Sequence, residues 1–353
     1  MKQIKTGIAS YGLSGQVFHA PFISLHPQFD LAAIAERSKD LARVRYPHAR
    51  IVRSFDDLLA MDDLELIVVN TPDDTHYEYA RRALEAGRHV VVEKPFTNTT
   101  AEGEALIALA EKQGTMLCVY QNRRWDADFL TVKEVLASGK IGRPVEYESV
   151  FSRYRSHIQP NTWKERTGGM TFNLGSHLID QSLALFGIPE YVYADIAVMR
   201  DGGMVDDYFI IHLLGPSKMP DVHITLKAGY LMCEPEPRFV LHGTDGSYVK
   251  YGVDMQEALL RQGVLPDTPD WGMESENEWG WLHTGKGGKA KYPSRRGHYI
   301  EFYEAVYQRL RHGIPIETDA REVLPVIRII EAAKESSRNR TVVRLYGDHV
   351  PVK

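Results

Sequence analysis

A glycine-bearing turn and an acid set the first chemical possibility in this chain. The run Ser10-Tyr11-Gly12-Leu13-Ser14-Gly15 follows a short apolar stretch and opens toward a helical pattern. Glycines at such a turn let the backbone come close to a pyrophosphate, whose charge is met by N–H groups at the helix amino end. The usual pattern has three glycines, and here Ser10 stands at the first position. Glu36 lies about 20 residues beyond the loop, at the end of a second apolar run, where a carboxylate can hold the hydroxyls of an adenosine ribose. Arg37 and Ser38 follow it directly and can instead hold a 2′-phosphate. The expected cofactor is therefore NAD or NADP, with Glu36 tipping the balance slightly to NAD. No histidine or cysteine cluster has metal-ligand spacing, so no metal is expected, and no Gly-x-Ser-x-Gly elbow occurs.

The elements that must position this turn alternate between two periodicities. Residues 4–10, 30–35, 65–70, 89–92 and 116–120 are short, continuously apolar runs. Between them, residues 16–25, 38–45, 75–86 and 101–113 carry helical spacing or polar composition. Short apolar strands separated by helices mark a parallel sheet covered on both faces. The pattern predicts an α/β, doubly wound Rossmann domain over residues 1–124. Beyond it, a helix near 128–138 leads into longer alternating segments at 145–154, 191–198, 208–214, 222–230 and 238–241. A further helix is expected at 321–336, and 263–294 reads as a long surface excursion. Residues 125–353 are thus expected to form a substrate-binding and oligomerisation domain of α+β class with a mainly antiparallel open sheet. Such a sheet leaves one face to be covered, which points to a homodimer or higher homo-oligomer.

Composition narrows the partners. The 353 residues include 43% hydrophobic and 25% charged residues, with a formal net charge of -5. Both fractions are ordinary for a globular protein. A negative balance with scattered Arg and Lys argues against nucleic acid or an anionic membrane as the main partner. Cys118 and Cys233 are too few for a disulfide framework, which suits a reducing compartment. The amino terminus lacks the apolar stretch and small-residue cleavage site of a secretory signal, and the apolar runs are too short to span a bilayer. The expected location is the cytoplasm.

Three further runs carry a resemblance to a known family. They are Asn70-Thr71-Pro72-Asp73-Asp74-Thr75-His76, then Glu93-Lys94-Pro95, then Gly168-Gly169-Met170-Thr171-Phe172-Asn173-Leu174-Gly175-Ser176-His177-Leu178-Ile179-Asp180. In order and spacing they resemble the signatures of the Gfo/Idh/MocA oxidoreductases, named for glucose–fructose oxidoreductase and inositol dehydrogenase, over essentially the whole chain. The runs 121–129, 153–155, 242–247 and 250–252 look like the branch that includes NADP-dependent scyllo-inositol dehydrogenase. The resemblance implies a nicotinamide across the carboxyl ends of the strands, near Thr71, Pro72, His76, Glu93 and Lys94, with the second domain closing over it. It also implies that Lys94 reaches a substrate hydroxyl and that His177 accepts its proton. The substrate class implied is a sugar or cyclitol, with an inositol-like polyol the sharpest expectation. Two other readings remain: an NAD-dependent redox glycosidase on the same scaffold, and a non-catalytic nucleotide sensor.

The residue types suit alcohol oxidation. Hydride leaves carbon for the nicotinamide while a proton leaves oxygen, and a histidine is a base near neutral pH without large perturbation. A charged Lys94 would stabilise the developing alkoxide, and Pro95 holds the Lys94 backbone extended. Asn173 and His177 are four apart and Asp180 three further on, so a helix presents all three on one face. Gly168-Gly169 would let that backbone approach a ligand. Asp180 either caps and pairs locally or touches substrate. The family's usual aspartate at 173 is an asparagine here, which would leave His177 less basic than in aspartate-bearing relatives. Arg153, Tyr154, Arg155, Trp163, Lys164 and Tyr299 are candidates for a polyol's hydroxyls and C–H face. Alternation sends Arg153 and Arg155 to one side and Tyr154 to the other. His19 and His76 are expected to be structural rather than catalytic.

Overall fold

The computed structural model describes residues 2–158, 165 and 167–346. The candidate Trp163, and Lys164 with it, lies outside the described residues. The first third folds as a parallel sheet of β1 (Ile4–Ile8), β2 (Phe29–Ala35), β3 (Arg50–Val52), β4 (Leu66–Val69), β5 (His89–Val92) and β6 (Leu117–Val119). Among the described residues the strand order is β3-β2-β1-β4-β5-β6. Every residue of β4 is buried, as a strand covered on both faces requires. The connecting helices are α1 (Ala20–Leu25), α2 (Leu41–Arg45), α3 (Phe55–Leu59), α4 (His76–Glu85) and α5 (Thr100–Gln113). Ser54 with Asp57 and Thr99 with Glu102 form reciprocal capping boxes that start α3 and α5, and Gly114 ends α5 at a φ of 64°. The short edge strand β3, with one buried residue, is absent from the apolar runs of the sequence.

After β6 come α6 (Ala127–Ala137), β7 (Pro144–Val150) and a π-helical turn, Thr171–Gly175, that runs directly into α7 (Ser176–Phe186). There follow β8 (Tyr191–Ala197), β9 (Tyr208–Leu214), β10 (His223–Gly229), β11 (Phe239–Gly243), β12 (Gly246–Lys250), α8 (Gln256–Arg261), β13 (Gly280–Thr284), β14 (Gly288–Tyr292), α9 (Ile300–His312), α10 (Ala320–Asn339) and β15 (Val343–Arg344). These strands form one sheet in the order β14-β13-β12-β11-β7-β10-β9-β8-β15, antiparallel except where β7 meets β10. Alternation divides its faces: Phe209, Ile211 and Leu213 are buried, whereas Ile210 and His212 are half-exposed. The expected excursion at 263–294 contains the hairpin β13–β14, which extends the sheet. Its edge position explains the missing apolar signal, since Trp281 is flanked by Lys289 and Lys291 rather than by a core. The segment is anchored by Lys250 and Glu274, a pair 3.1 Å apart with both side chains 1% exposed.

The chain divides into two compact units. One comprises Met1–Trp125, Met255–Gly272 and His298–Leu324; the other comprises Asp126–Asp254, Met273–Gly297 and Pro325–Lys353. The sequence pattern assigns everything after residue 124 to the second domain, but two later segments return to the first unit. They do so to close its core, where Leu260, Trp271, Tyr299, Phe302 and Tyr303 pack with Ile4, Phe22 and Phe29. Tyr120 meets Phe302 edge-on at 4.7 Å and Phe29 meets Tyr303 at 5.5 Å, geometries that add about 0.5–1.5 kcal/mol each beyond burial. Among the described residues no helix is long and apolar enough to cross a membrane.

Candidate functional site

The turn after β1 is built around an amide clamp. Asn70, at the end of β4, accepts the Ser10 N–H at 2.9 Å and donates to the Ser10 carbonyl at 2.8 Å. Ser10 in turn accepts the Gly12 N–H on its hydroxyl at 3.2 Å, so the serine in the first glycine position shapes the turn with its side chain. Gly15 admits no substitute, because a Cβ there would lie 2.2 Å from the Ser10 carbonyl oxygen. From Gly15 the chain enters a π-helical turn, Gly15–His19, and then α1. Tyr11 is buried edge-on against Tyr46 at 6.2 Å, while Gly12 and Leu13 are exposed. The turn sits where the strand order reverses between β1 and β4, the crevice in which such sheets take dinucleotides. A glycine that leaves no room for a side chain, followed directly by helix, fits a diphosphate.

Two more side chains tie neighbouring strand ends together. His76, buried at the start of α4, contacts the Pro95 carbonyl through Nδ1 at 2.7 Å and the Thr71 carbonyl through Nε2 at 3.0 Å. Thr71 Oγ1 lies 2.6 Å from Thr75 Oγ1, and Pro72 is exposed. Burial pushes the neighbouring Asp73 carboxyl up, opposed by the charge of His76. Glu93, at the end of β5, accepts Ser14 Oγ at 2.5 Å and His19 Nε2 at 3.2 Å on one oxygen. Its other oxygen accepts the Lys94 N–H at 3.0 Å. Burial would raise the Glu93 carboxyl, but His19, Ser14 and Lys94 together outweigh it and bring it down to about 2. The stability gained from a depressed carboxylate is present above its unfolded value and is lost only as pH falls toward 2. Lys94 itself is half-buried, and the Lys94–Pro95 peptide bond is cis.

Glu36, expected to hold a ribose, turns its carboxylate to the backbone of its own loop. Its two oxygens accept the N–H groups of Leu41 at 3.1 Å and Ala42 at 3.2 Å, at the start of α2. Arg53 fixes the same loop by donating to the carbonyls of Glu36 and Lys39 and to the Asp40 carboxylate. The crest of the loop, Arg37 and Ser38, is exposed.

In the second unit the glycine-pair turn before the π turn is filled at Gly169 by the protein's own chain. Gly169 has a φ of 67°, and a Cβ there would lie 2.2 Å from Asp206 Oδ1. The Asp206 carboxylate fills that space and accepts both the N–H and the hydroxyl of Thr171, each at 2.6 Å. Close approach of a ligand, the expectation for this pair, is thus replaced at Gly169 by close approach of Asp206. Asn173 falls in the π turn, His177 and Asp180 in the first turns of α7, and all three are buried. π turns widen the helix and recur at functional positions; here one follows each of the two glycine-bearing turns. The neighbouring Gln181 accepts Arg238 Nη2 at 2.9 Å, and Arg238 also donates to Ser149 Oγ at 2.6 Å, which fastens α7 to β7.

The substrate candidates separate. Arg153 is half-buried, with its guanidinium 4.8 Å from the Phe151 ring, and Tyr154 is 60% exposed beyond the end of β7. Arg155 is exposed, 5.7 Å from the Tyr230 ring. Tyr299 belongs to the first unit and is 0% exposed, packed edge-on against Phe18 and Phe22. A ring so enclosed is a core residue, and its nomination for substrate is corrected accordingly. The sequence reading passed over the clamping role of Asn70 and the partners of His19, Tyr303 and Glu93. It also missed Asp206, for which a residue 35 positions from its partner leaves no local signal.

Two family profiles match the chain. "Oxidoreductase family, NAD-binding Rossmann fold" covers residues 4–121, and "Oxidoreductase family, C-terminal alpha/beta domain" covers residues 133–345, both of the Gfo/Idh/MocA type. The chain is 38% identical to scyllo-inositol 2-dehydrogenase (NADP(+)) IolW of Bacillus subtilis, over 97% of this chain and 96% of that one. A crystal structure from Bacteroides fragilis NCTC 9343, described only provisionally as an oxidoreductase, shares 61% identity with a TM-score of 0.92, covering 97% of this chain and 100% of that one. The structure of YvaA from Bacillus subtilis, described in the same way, shares 36% identity with a TM-score of 0.93, covering 98% and 99%.

Proposed function

Because the chain belongs to the Gfo/Idh/MocA family of oxidoreductases, we propose that it is an NAD(P)-dependent dehydrogenase acting on a hydroxyl-bearing carbon of a cyclitol or sugar, an inositol-like ring first among them. The observation that carries the reading is Lys94: a half-buried amine at the carboxyl end of β5, its backbone held by the carboxylate that also holds the phosphate-loop residue Ser14. Similarity over nearly full length to an NADP-dependent scyllo-inositol dehydrogenase supports the substrate class.

When bound, the nicotinamide supplies the redox chemistry. The turn Ser10–Gly15 would hold its diphosphate, with Thr71, Pro72 and His76 at the neighbouring strand end. In this reading Lys94 carries a positive charge and stabilises the negative charge that develops on the substrate oxygen. His177 takes the hydroxyl proton. Asn173 offers a neutral amide to a hydroxyl, and Asp180, Arg153 and Tyr154 are proposed for the rest of the polyol.

For the nucleotide we propose NADP. The sequence leans to NAD through Glu36, but both Glu36 oxygens are engaged at α2, while Arg37 and Ser38 stand exposed on a loop fixed by Arg53. We propose a reducing, cytoplasmic setting as well, in keeping with two free cysteines.

The test is nicotinamide absorbance against a panel of inositols and sugars, run separately with NAD and NADP. Turnover of an inositol with NADP is expected. If every polyol is inert with both nucleotides while nucleotide still binds, the dehydrogenase reading fails. Arg37→Ala should weaken NADP binding about tenfold or more and leave NAD binding within about twofold, the loss of one charge-assisted phosphate contact. Equal effects on both nucleotides would refute the preference.

A further inference from the structure

The first unit buries two polar groups, His19 and Tyr303, that the proposed reaction leaves unused. Tyr303 Oη lies 2.7 Å from His19 Nδ1, and His19 Nε2 lies 3.2 Å from Glu93 Oε1. That same oxygen accepts Ser14 Oγ, while Glu93 Oε2 accepts the Lys94 N–H. His19 and Tyr303 are both 0% exposed. The proton positions follow from chemistry. A carboxylate only accepts, so His19 Nε2 donates to Glu93, which leaves Nδ1 to pair with the Tyr303 hydroxyl. Burial raises the Tyr303 phenol well above its ordinary value, so that hydroxyl keeps its proton. The Tyr120 ring also packs against the imidazole, tilted by 52° with centroids 4.4 Å apart, which resists its turning over.

A histidine that merely packs needs partners for its nitrogens. It does not need a carboxylate whose two oxygens are joined to the phosphate loop on one side and to the Lys94 backbone on the other. We propose that His19 is a positioning residue: held by Tyr303, it fixes the Glu93 carboxylate that grips both Ser14 and the Lys94 backbone, so that seating of the nucleotide and aim of the Lys94 amine are coupled through one buried group. The half that concerns Lys94 rests on its reading as the substrate-contacting amine; the half that concerns nucleotide seating does not.

The test uses the full chain and no substrate. NADPH binding is titrated by fluorescence in a double-mutant cycle of Tyr303→Phe and Ser14→Ala, each of which deletes one hydroxyl. The two hydroxyls touch different groups, so independent packing roles would let their effects multiply. Each single variant should weaken NADPH binding about threefold or more, and the double variant no more than the weaker-binding single, because either deletion already breaks the chain. Unchanged affinity in Tyr303→Phe, or effects that multiply, overturns the proposal. A second pair guards against misfolding: His19→Gln retains a terminal N–H for Glu93 and should bind NADPH within about threefold of wild type, where His19→Leu loses about tenfold. Equal losses in that pair overturn it too. Lys94→Ala is assayed alongside, for NADPH binding and for turnover. Full turnover there removes the reading of Lys94 and the coupling to it, and is told apart from failure of the His19 chain because the binding cycle contains no substrate.

Discussion

Asn173 is a neutral amide where the family commonly has an aspartate, and it lies one helical turn before His177, both side chains buried. A carboxylate at that place favours the imidazolium; an amide does not. If His177 takes the substrate proton, it must be neutral to act, so activity appears as pH rises through its titration. Asn173→Asp raises the basicity of His177 and should therefore move the acid limb of kcat/KM to higher pH, by about one unit. An acid limb that stays in place separates the two residues. Glu36 teaches the complementary lesson at the same scale. An acid of the expected type at the expected distance was legible, but which way its oxygens turn depends on where α2 starts, and its first N–H groups take them. Residue type and spacing bring a group to a place; local backbone decides what it does there.

At the scale of elements, the two glycine-bearing turns are each shaped by a side chain from another part of the chain: Asn70 for the first and Asp206 for the second. Gly169 combines a φ of 67° with an Asp206 oxygen 2.2 Å from where a Cβ would sit. Alanine there meets the left-handed penalty of about 1–2 kcal/mol. It also displaces a carboxylate that two Thr171 donors hold, at about 1–3 kcal/mol for donors left unmet. Gly169→Ala should thus destabilise the protein by about 2–4 kcal/mol in urea unfolding and depress turnover, since Asn173 and His177 follow from that turn. A change below about 0.5 kcal/mol, the usual limit for neutral sites, would show that the turn tolerates a side chain. These turns also mark how far the sequence could be read. The parallel strands were plain because continuous apolar runs can only be buried on both faces, and the signatures singled out Lys94 and His177 for the proposed chemistry. β3 and the hairpin β13–β14 were not, because edge strands carry charge and little apolar alternation. The return of α8 and α9 to the first core was hidden for another reason: a segment's apolar face says that it packs, but not against what.

The open sheet of the second unit is where the whole molecule becomes testable. A single register row on its half-exposed face runs from Tyr193 through His212, Thr225, Glu148, Val240 and Val249 to Trp281. All but Tyr193 are half-buried in the isolated chain, and Tyr193 stacks on His212 at 6.1 Å. Tyr193, Val240, Val249 and Trp281, with Ile210 beside them, give the face more apolar surface than an antiparallel sheet usually leaves to water. Charged Glu148 and Lys227 interrupt it, so the face is suited to a partner with both kinds of group, and a second copy offers the same row in return. The expected outcome is a homodimer or larger homo-oligomer in light scattering after gel filtration. Val240→Glu sets a carboxylate beside Glu148 near the middle of the sheet, where burial in an interface would leave it unpaired. It should dissociate the assembly while leaving nucleotide binding within about twofold, since Val240 lies in the second unit and the phosphate loop in the first. A monomeric wild-type chain, or an unchanged mass for the variant, would show that this face meets water and that its exposed rings are tolerated there.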